Sequence, residues 1–432
     1  MEAAKLGNEE VRHSDRISQL PHDLLLRILS LVPVRTAVST IFISKRWRSV
    51  WTKMPTLVYD ETCPHIGSLG FDQFCVMYLP LHEAPVLKTL NINLNHSVSF
   101  DTLLFPNIRS TSLLKIKITL SRSDHSACST PIRFPNNLDV FKTLLVLKLR
   151  GKIVLDVVDS PVCFPSLKKL RLTCVSFRCG ESFKRLLSAC PLLEDLILKR
   201  VYGCCFRRCL FSILSPSLQR LTIITLGAYS YYNDMSFEIS APSLKYLNIF
   251  DNKSYYSFVE DMPKLVEAEV LADLSKIVKF RKVLSPLERL QIRLYPAIIT
   301  DLTDSLIFKR LLHLELRYSF YSHLLLGLLK YFPKLRSLKL VQPYFTEMTD
   351  QLYCSVSVPE CLSFHLEILQ WSGYGGTQNE REAAVYILKN AQFLKTATIS
   401  LQKTIMDGQI MMEDLRSISK ASASCQLVIE SF

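Results

Sequence analysis

The 432-residue sequence is poor in glycine and contains no long apolar run. Its 12 Gly and 20 Pro are too few for a collagen-like or Gly/Pro-rich chain. The most apolar stretch, HLLLGLLKYF at residues 323–332, is about half as long as a bilayer-spanning helix. The charged N-terminus lacks an apolar stretch of the length that a secretory signal needs. We therefore expect a soluble protein of the nucleus, the cytoplasm or both, without a membrane partner.

The composition is that of an ordinary packed protein with a positive net charge. Hydrophobic residues make up 48% and charged residues 21% of the chain, which excludes global disorder. The 52 Lys and Arg outnumber the 39 Asp and Glu and leave a net charge of +13. This excess favours encounter with an acidic partner, such as a nucleic acid, an anionic membrane face or an acidic protein segment.

No pattern in the sequence indicates catalysis or a bound cofactor. The G-x-S-x-G, H-E-x-x-H, P-loop and kinase motifs are missing, and the nine His are dispersed. The 13 Cys are an odd number, which without a secretory signal favours reduced thiols. The Cys-rich stretch from Cys163 to Cys209 has no C-x-x-C pair and no His, so a zinc site is disfavoured. We predict a non-enzymatic protein with no catalytic residue, no metal ligand and no cofactor.

The N-terminal segment predicts a group of three short helices. The first helix is bounded by Pro21, which suits a first turn, and by Pro33, which ends the helix. Its apolar residues recur at helical spacing and are Leu24, Leu25, Ile28, Leu29 and Val32. A second apolar stretch follows, and a third helix sets Trp47, Val50 and Trp51 on one face. Helices this short cannot bury so much apolar surface among themselves, which implies a partner surface.

The sequence LPHDLLLRILSLVPVRTAVSTIFISKRWRSVW at residues 20–51 resembles the F-box. Its opening Leu-Pro, its central Val-Pro and its closing Ser-Lys-Arg-Trp-Arg, followed by Trp, fall where that family has them. The resemblance implies a three-helix module that docks on the Skp-type linker subunit of an SCF ubiquitin ligase and, through it, on the cullin and RING subunits. The implied docking residues are Leu20, Pro21, Leu24, Ile28, Leu29 and Pro33. Trp47 and Trp51 would hold the helices together.

A second pattern, L-x-x-L-x-L, recurs at the period of leucine-rich repeats. The clearest copies begin at Leu167, Leu193, Leu218, Leu244 and Leu335. Looser copies begin at Leu87, Leu113, Leu144, Leu265, Leu287, Leu311, Leu366 and Leu394. The first, fourth and sixth residues of each copy would point into a shared core, and the residues between them would face outward from a short strand. Because one repeat cannot bury its own apolar face, the repeats must stack. We predict a horseshoe solenoid with parallel strands on its concave face.

The segments between the copies differ in character. Residues 181–190 (ESFKRLLSAC) place Phe183, Leu186 and Leu187 on one side of a predicted helix. Cys190 stands three residues before Leu193, which resembles the cysteine-containing repeats of many F-box proteins. Residues 121–137 are polar and interrupted by two prolines, which predicts a protruding loop.

Positions three, five and seven of each copy should face the concave side. In four neighbouring copies these positions carry seven basic residues and one acid, Asp195. The basic residues are Lys115, Lys117, Lys148, Arg150, Lys169, Arg171 and Lys199. We expect this basic stripe to bind an acidic or phosphorylated target segment through charge-assisted hydrogen bonds, with a merely solvated basic face as the alternative. Further along, the same positions hold Tyr246, then Glu267 and Glu269, then Arg289, so the face changes character.

The C-terminal segment resembles the FBD domain, a C-terminal module of plant F-box proteins. The resemblance covers residues 355–432 and rests on Leu-Glu, Trp-Ser-Gly-Tyr, a Glu-rich helix, Leu-Lys and a late Cys-Gln. The combination resembles the plant F-box/FBD/leucine-rich-repeat proteins. It implies an α/β fold with a flexible tail at 1–14, the F-box at 15–61, leucine-rich repeats at 62–354 and an FBD that caps the repeat array.

These resemblances imply a non-catalytic substrate-recognition subunit of an SCF-type ubiquitin ligase. The F-box would dock on the linker subunit, the repeats would bind a target protein, and catalysis would belong to other subunits. A repeat receptor or scaffold for a small anionic ligand, without ligase assembly, is the alternative function. Binding of nucleic acid is disfavoured, because the sequence offers no groove-reading motif to support the net charge.

Overall fold

A computed structural model describes the protein. The chain divides into two compact units, unit 1 at Met1–Leu167 and unit 2 at Lys168–Phe432. The structure describes residues 17–61, 71–78, 81–82, 87–94, 113–120, 132–134, 141–155, 164–201, 209–226, 235–251, 254–272, 280, 282–294, 307–317, 322–342, 357–402 and 408–430.

Unit 1 begins with short helices in the F-box-like segment. Helix α1 spans His22–Leu29 and helix α2 spans Val34–Ser39. Three 3-10 helices follow, at Thr40–Phe42, Trp47–Ser49 and Trp51–Lys53. The expected third helix is not one continuous helix: two 3-10 helices stand in its place. They keep the expected apolar face because residues three apart lie on one side in both helix types.

Two prolines set the starts of the α-helices. Pro21 and Pro33 occupy the N-cap positions with φ of −52° and −57°, where a missing N–H costs no helical hydrogen bond. The helices bury one side of this segment, and the fully buried side chains include Leu25, Val34 and Ala37. Their opposite sides stay open to solvent.

The strands of unit 1 are parallel. Strands β1 (Thr56–Asp60), β2 (Thr89–Leu94), β3 (Lys115–Leu120) and β5 (Val146–Arg150) form one sheet in the order β1-β2-β3-β5. Two shorter strands, β4 (Ile132–Arg133) and β6 (Ile153–Leu155), pair with each other. Helix α3 spans Phe71–Tyr78.

The protruding loop predicted at residues 121–137 is wrong in part. Ile132 and Arg133 form strand β4, and the next residue, Phe134, is buried. Its ring stacks on that of Phe141 with centroids 5.9 Å apart, so apolar packing fixes this part of the stretch. Residues 121–131 and 135–137 lie outside the described residues.

Unit 2 contains a parallel sheet in the order β7-β9-β11-β13-β15-β16-β17-β18-β19-β20-β21. Its strands are Lys169–Thr173, Asp195–Val201, Arg220–Leu226, Tyr246–Phe250, Glu267–Ala272, Arg289–Leu294, His313–Arg317, Ser337–Val341, Ile368–Tyr374, Thr396–Leu401 and Gln426–Glu430. A second parallel sheet joins β10 (Leu210–Leu214), β12 (Ser236–Ser240) and β14 (Tyr255–Phe258). The two-residue strand β8 lies at Ser176–Phe177. The prediction of parallel repeat strands is confirmed.

Helices connect several strands of unit 2. They are α4 (Gly180–Ser188), α5 (Ser322–Leu329), α6 (Glu360–Phe364), α7 (Gln378–Asn390) and α8 (Gly408–Ser417). The predicted helix at residues 181–190 corresponds to α4, whose Phe183, Leu186 and Leu187 are buried. Within the described residues, no helix has the length and apolar character that a bilayer crossing requires.

Each repeat strand begins two residues after the first leucine of its copy. All 13 first leucines are at most 2% exposed, so they fill the interior as the pattern predicts. A turn precedes the leucine: Leu167 N donates to Phe164 O at 3.2 Å, and Leu193 N donates to Cys190 O at 3.2 Å. Proline two residues before the leucine therefore sits at the second turn position, which its fixed φ favours. This local geometry explains the recurring Pro-x-Leu of the sequence.

Candidate functional site

Large apolar side chains are exposed on the F-box-like segment of unit 1. Leu24 and Ile28 on α1 are both 41% exposed, and Leu31 just beyond the helix is 85% exposed. Phe42, at the end of the first 3-10 helix, is 82% exposed. Exposure of one such residue is ordinary, whereas several large exposed apolar residues on one short segment are not.

The six residues predicted to form the docking surface do not share one environment. Pro21, Leu24 and Ile28 are exposed, and Leu20 and Pro33 are half-buried. Leu29 is only 2% exposed, because it lies one residue past Ile28 on the inward side of α1 and packs in the interior. It therefore does not belong to the exposed surface of this chain.

Sequence reasoning missed Leu31 and Phe42 as exposed apolar residues. A signal for Leu31 exists, since residues 24, 28 and 31 continue one helical stripe. The apolar residues around Phe42 do not recur at α-helical spacing, because a 3-10 helix takes the place of the α-helix there.

Trp47 and Trp51 lie in the interior of the F-box-like segment, at 2% and 4% exposure. Trp47 Nε1 donates a hydrogen bond to Ser18 Oγ at 2.7 Å. The ring of Trp51 meets that of Tyr78 edge to face at 6.0 Å. The burial of both indoles and the satisfied N–H of Trp47 suit a structural role.

The seven basic residues predicted to form one stripe divide between the two units. Unit 1 carries Lys115 and Lys117 on β3 and Lys148 and Arg150 on β5. Lys117 and Lys148 are register neighbours on adjacent strands, and Lys117 and Arg150 are exposed. Like charges at neighbouring positions on adjacent strands repel.

Unit 2 carries the other three basic residues. Lys169 and Arg171 lie on β7 and are exposed, and Lys199 on β9 is half-buried. In register, Lys169 lies beside Asp195, and Thr173 lies beside Lys199. Within the part of the chain that the structure describes, none of the three basic side chains makes an ion pair.

A cavity of about 210 Å³ opens on the sheet of unit 2, between β15 and β19. Glu269 accepts hydrogen bonds from Asn248 Nδ2 at 2.8 Å and from Gln291 Nε2 at 3.0 Å. Glu315 accepts from Arg317 Nε at 2.7 Å and from Lys339 Nζ at 3.2 Å. These bonds fix both carboxylates, so the cavity has an ordered polar floor.

Two of the titratable groups that line this cavity have lowered pKa values. Burial acts to raise the pKa of Glu315, but hydrogen bonds from Arg317 and Lys339 outweigh it and lower the pKa. Burial and the positive charge of Arg289 lower the pKa of His313, which keeps its imidazole neutral at pH 7. Sequence reasoning named Glu267, Glu269 and Arg289 on the face. It did not single out His313, Glu315 and Lys339, although they occupy the same positions three and five in the copies from Leu311 and Leu335.

The described residues contain no group of three His, Cys, Asp or Glu side chains that could hold a metal ion. Burial raises the pKa of the Cys361 thiol to about 12, so it is neither a thiolate ligand nor a nucleophile at neutral pH. From the Cys-rich stretch, Cys190 is buried and donates to Leu186 O. Cys163, Cys204 and Cys205 lie outside the described residues.

Three family models match the chain. The F-box domain matches residues 17–59, the LRR repeats of the FBD-associated F-box protein At5g56370 match residues 118–339, and FBD matches residues 355–399. Proteins with an F-box and leucine-rich repeats generally act as substrate adaptors of SCF complexes and are typically not catalytic.

Similar proteins of Arabidopsis thaliana match over nearly the whole chain or all of it. An F-box/FBD/LRR-repeat protein, At5g56810, is 55% identical over 439 residues, with 100% of each chain covered. An FBD-associated F-box protein, At5g56820, is 48% identical over 453 residues, covering 100% of this chain and 98% of the relative. A third, the F-box/FBD/LRR-repeat protein At5g56420, is 35% identical over 439 residues, covering 97% and 100%. The chain therefore belongs to the plant family of F-box/FBD/LRR-repeat proteins.

Proposed function

We propose that the protein is the substrate-recognition subunit of an SCF-type ubiquitin ligase. The observation that carries the proposal is the exposed apolar surface of α1 and the first 3-10 helix, within the segment that the F-box model matches. An F-box implies a Skp-type linker as its partner. Covering exposed Leu, Ile and Phe side chains would stabilise the complex by about 25 cal/mol per Å² of apolar surface removed from water.

The proposed docking surface joins predicted and newly found residues. It comprises Leu20, Pro21, Leu24, Ile28, Leu31, Pro33 and Phe42. Leu29 supports it from the interior by holding α1 on the rest of the segment. The buried Trp47 and Trp51 keep the 3-10 turns in place beneath it.

The repeat strands are the proposed target-binding element. Their outward residues at positions three, five and seven, here called the strand face, offer many side chains at fixed spacing. The basic residues of the strand face favour an acidic or phosphorylated segment of the target. The chain itself supplies no catalytic group in this proposal. It accelerates ubiquitin transfer by holding the target near the RING-bound carrier, since proximity converts a bimolecular step into an effectively intramolecular one.

The proposed domain division follows from this assignment of roles. The tail is 1–14, the F-box is 15–61, the repeats are 62–354 and the FBD is 355–432. In unit 2 the strands at Ile368–Tyr374, Thr396–Leu401 and Gln426–Glu430 extend the repeat sheet in register, which supports the FBD as its terminal cap. The adaptor would act in the nucleus, the cytoplasm or both.

Capture of a plant Skp-type linker by the full-length protein tests the proposal. We expect the wild type to bind, and Ile28→Asp or Leu20→Ala/Pro21→Ala to lose binding, because a charge or a lost contact disrupts an apolar interface. Ile410→Asp is the matched control, since Ile410 is 68% exposed on α8 of unit 2. Circular dichroism should show that all variants fold. Failure of a folded wild type to bind would refute ligase assembly.

A further inference from the structure

One row of the strand face crosses unit 2 with opposite charges at its ends. It consists of the side chains at position five, here called the middle row, and they are Arg171, Ile197, Thr222, Asn248 and Glu269. Each is the register partner of the next across strands β7, β9, β11, β13 and β15. The row therefore runs straight across five strands, with a cation at one end and a carboxylate at the other.

The negative end is fixed but not neutralised. Both donors to Glu269 are neutral amides, from Asn248 and Gln291. Glu315, two strands further on, differs, because Arg317 and Lys339 both pair with it. Within the described ranges, no Lys, Arg or His makes an ion pair with Glu269. A carboxylate with two oxygens has acceptor sites beyond the two in use, so Glu269 can take a cationic donor from a ligand.

The cavity of about 210 Å³ opens beside Glu269 and gives that donor room. On the side away from Arg171, Arg289 and Arg293 of β16 stand next to this strand in register. Their positive charges limit the negative end of the row to β15, and they would repel a basic group of the ligand placed on β16. The ring of Phe250 already engages Arg293, whose guanidinium lies 4.8 Å from its centroid.

The positive end is open as well. Arg171 is exposed, and Lys169 lies on the same face of the same strand. Between the ends, Ile197 and Thr222 are uncharged and half-buried. Arg220 lies on β11 outside the middle row, and its guanidinium stacks on Tyr246 at 4.3 Å. A ligand along the middle row thus meets a cation, an uncharged stretch and a carboxylate, in that order.

Strand spacing sets the distance between the two ends. Four intervals of about 4.8 Å separate β7 from β15, which gives about 19 Å. An extended polypeptide rises about 3.3 Å per residue, so about six residues span this distance. We propose, resting on the proposed function, that unit 2 selects a target segment with an acidic group on Arg171 and a basic group about six residues away on Glu269.

Fluorescence anisotropy with synthetic peptides and the full-length protein tests this inference. The probe carries Asp-Asp, five Ser/Gly residues and Lys-Lys, and it is made in both chain directions. One comparison peptide has Gln-Gln in place of Lys-Lys, and another has a one-residue spacer. In the better direction we expect the probe to bind about fivefold more tightly than either comparison peptide at low salt, the effect of a partly exposed charge pair.

Charge reversal assigns that gain to Glu269. Glu269→Lys and Glu269→Gln should both remove the fivefold gain, and a probe ending in Glu-Glu should regain affinity for Glu269→Lys. Glu413→Lys is the matched control, because it makes the same charge change at an exposed position of α8. Equal melting temperatures would exclude a folding defect, and Glu269→Gln keeps the test valid if the lysine variant is unstable.

The outcomes separate this inference from the proposed function. If Arg171→Glu weakens the acidic comparison peptide but Lys-Lys adds nothing in either direction, the two-ended inference is wrong and the basic strand face stands. If Arg171→Glu changes no peptide affinity, or no peptide binds, both the inference and target capture by this basic end fail. Linker capture through Ile28 is measured separately and is independent of both.

Discussion

The F-box segment and unit 2 differ in which side chains they expose and which they bury. In the F-box segment, Leu31 and Phe42 are more than four-fifths exposed. In unit 2, two carboxylic acids, Asp251 and Glu380, are 1% and 4% exposed. Leaving leucine in water and taking a carboxyl group out of it both cost free energy. Each region therefore contains side chains whose placement alone would lower its stability.

The two costs are met by different means. The buried carboxyl group of Asp251 is satisfied inside the chain, since it accepts from Thr225 Oγ1 at 3.0 Å, from Ser254 N at 3.2 Å and from Tyr256 Oη at 3.0 Å. The exposed apolar side chains of the F-box segment are not buried by the described residues of the chain, and a docked partner would bury them. Asp251 therefore finds its partners within unit 2, whereas the exposed apolar residues of the F-box segment are those that the proposed docking would cover.

Truncating a leucine in each region tests this contrast with the largest expected effect. Leu221 on β11 is fully buried, and Leu221→Ala should destabilise unit 2 by about 2–5 kcal/mol through lost burial and a cavity. Leu31→Ala should change the free energy of unfolding by less than about 0.5 kcal/mol, since its side chain is in water already. Urea unfolding followed by circular dichroism measures both. Equal losses would mean that Leu31 packs against the chain, and the contrast would fail.

Removing the buried carboxyl of Asp251 should have the next largest effect. Asp251→Ala leaves the hydroxyls of Thr225 and Tyr256 and the N–H of Ser254 without their acceptor. We expect a loss of about 2–3 kcal/mol, because buried donors without partners retain their desolvation cost.

Asp251→Asn is the matched control for that prediction. It keeps one acceptor oxygen and the side-chain volume, so it should lose less stability than Asp251→Ala in the same urea titration. If the two variants lose the same amount, the charge rather than the hydrogen-bond network holds this corner, and the account of internal satisfaction is wrong.

The repeat strands could be predicted from the sequence because the pattern that starts each of them involves only neighbouring residues. A strand begins two residues after each first leucine, and the turn before it needs only neighbouring residues. Strand β1 obeys the same rule with Met54, Leu57 and Tyr59 as its three inward residues, all buried. It escaped prediction because methionine and tyrosine replace the leucines, and the segment was assigned whole to the F-box.

The carboxylate contacts could not be predicted, because their partners are remote. Glu269 is bound by Asn248 and Gln291, which are 21 and 22 residues away in two different repeats. The sequence indicates that all three face outward, but not which rotamers meet. Helical periodicity likewise placed Trp47 and Trp51 inside without distinguishing α-helical from 3-10 hydrogen bonding, since both bury residues three apart.

The pH dependence of the stability of unit 2 is the smallest effect that we predict. Burial raises the pKa of Glu380, against hydrogen bonds from Thr377, Gly375 and Gln342 that lower it. Because the folded pKa lies above the ordinary value of 4.5, the native state binds this proton more tightly than the unfolded chain does. That contribution to stability is complete below about pH 4.5 and is lost as the pH rises through the raised pKa.

Glu380→Gln should therefore melt higher than the wild type at pH 8 and equally at pH 4. Glutamine keeps the capping-box geometry with Thr377 and carries no charge to desolvate. A gain of about 2–4 °C corresponds to about 1 kcal/mol in a domain of this size. Thermal unfolding from pH 4 to 8 measures it, with Glu413→Gln on α8 as the exposed control. Burial also raises the pKa of Tyr374, which keeps that neighbour neutral throughout the series. A gain independent of pH would show that packing, not the proton on Glu380, separates the two proteins.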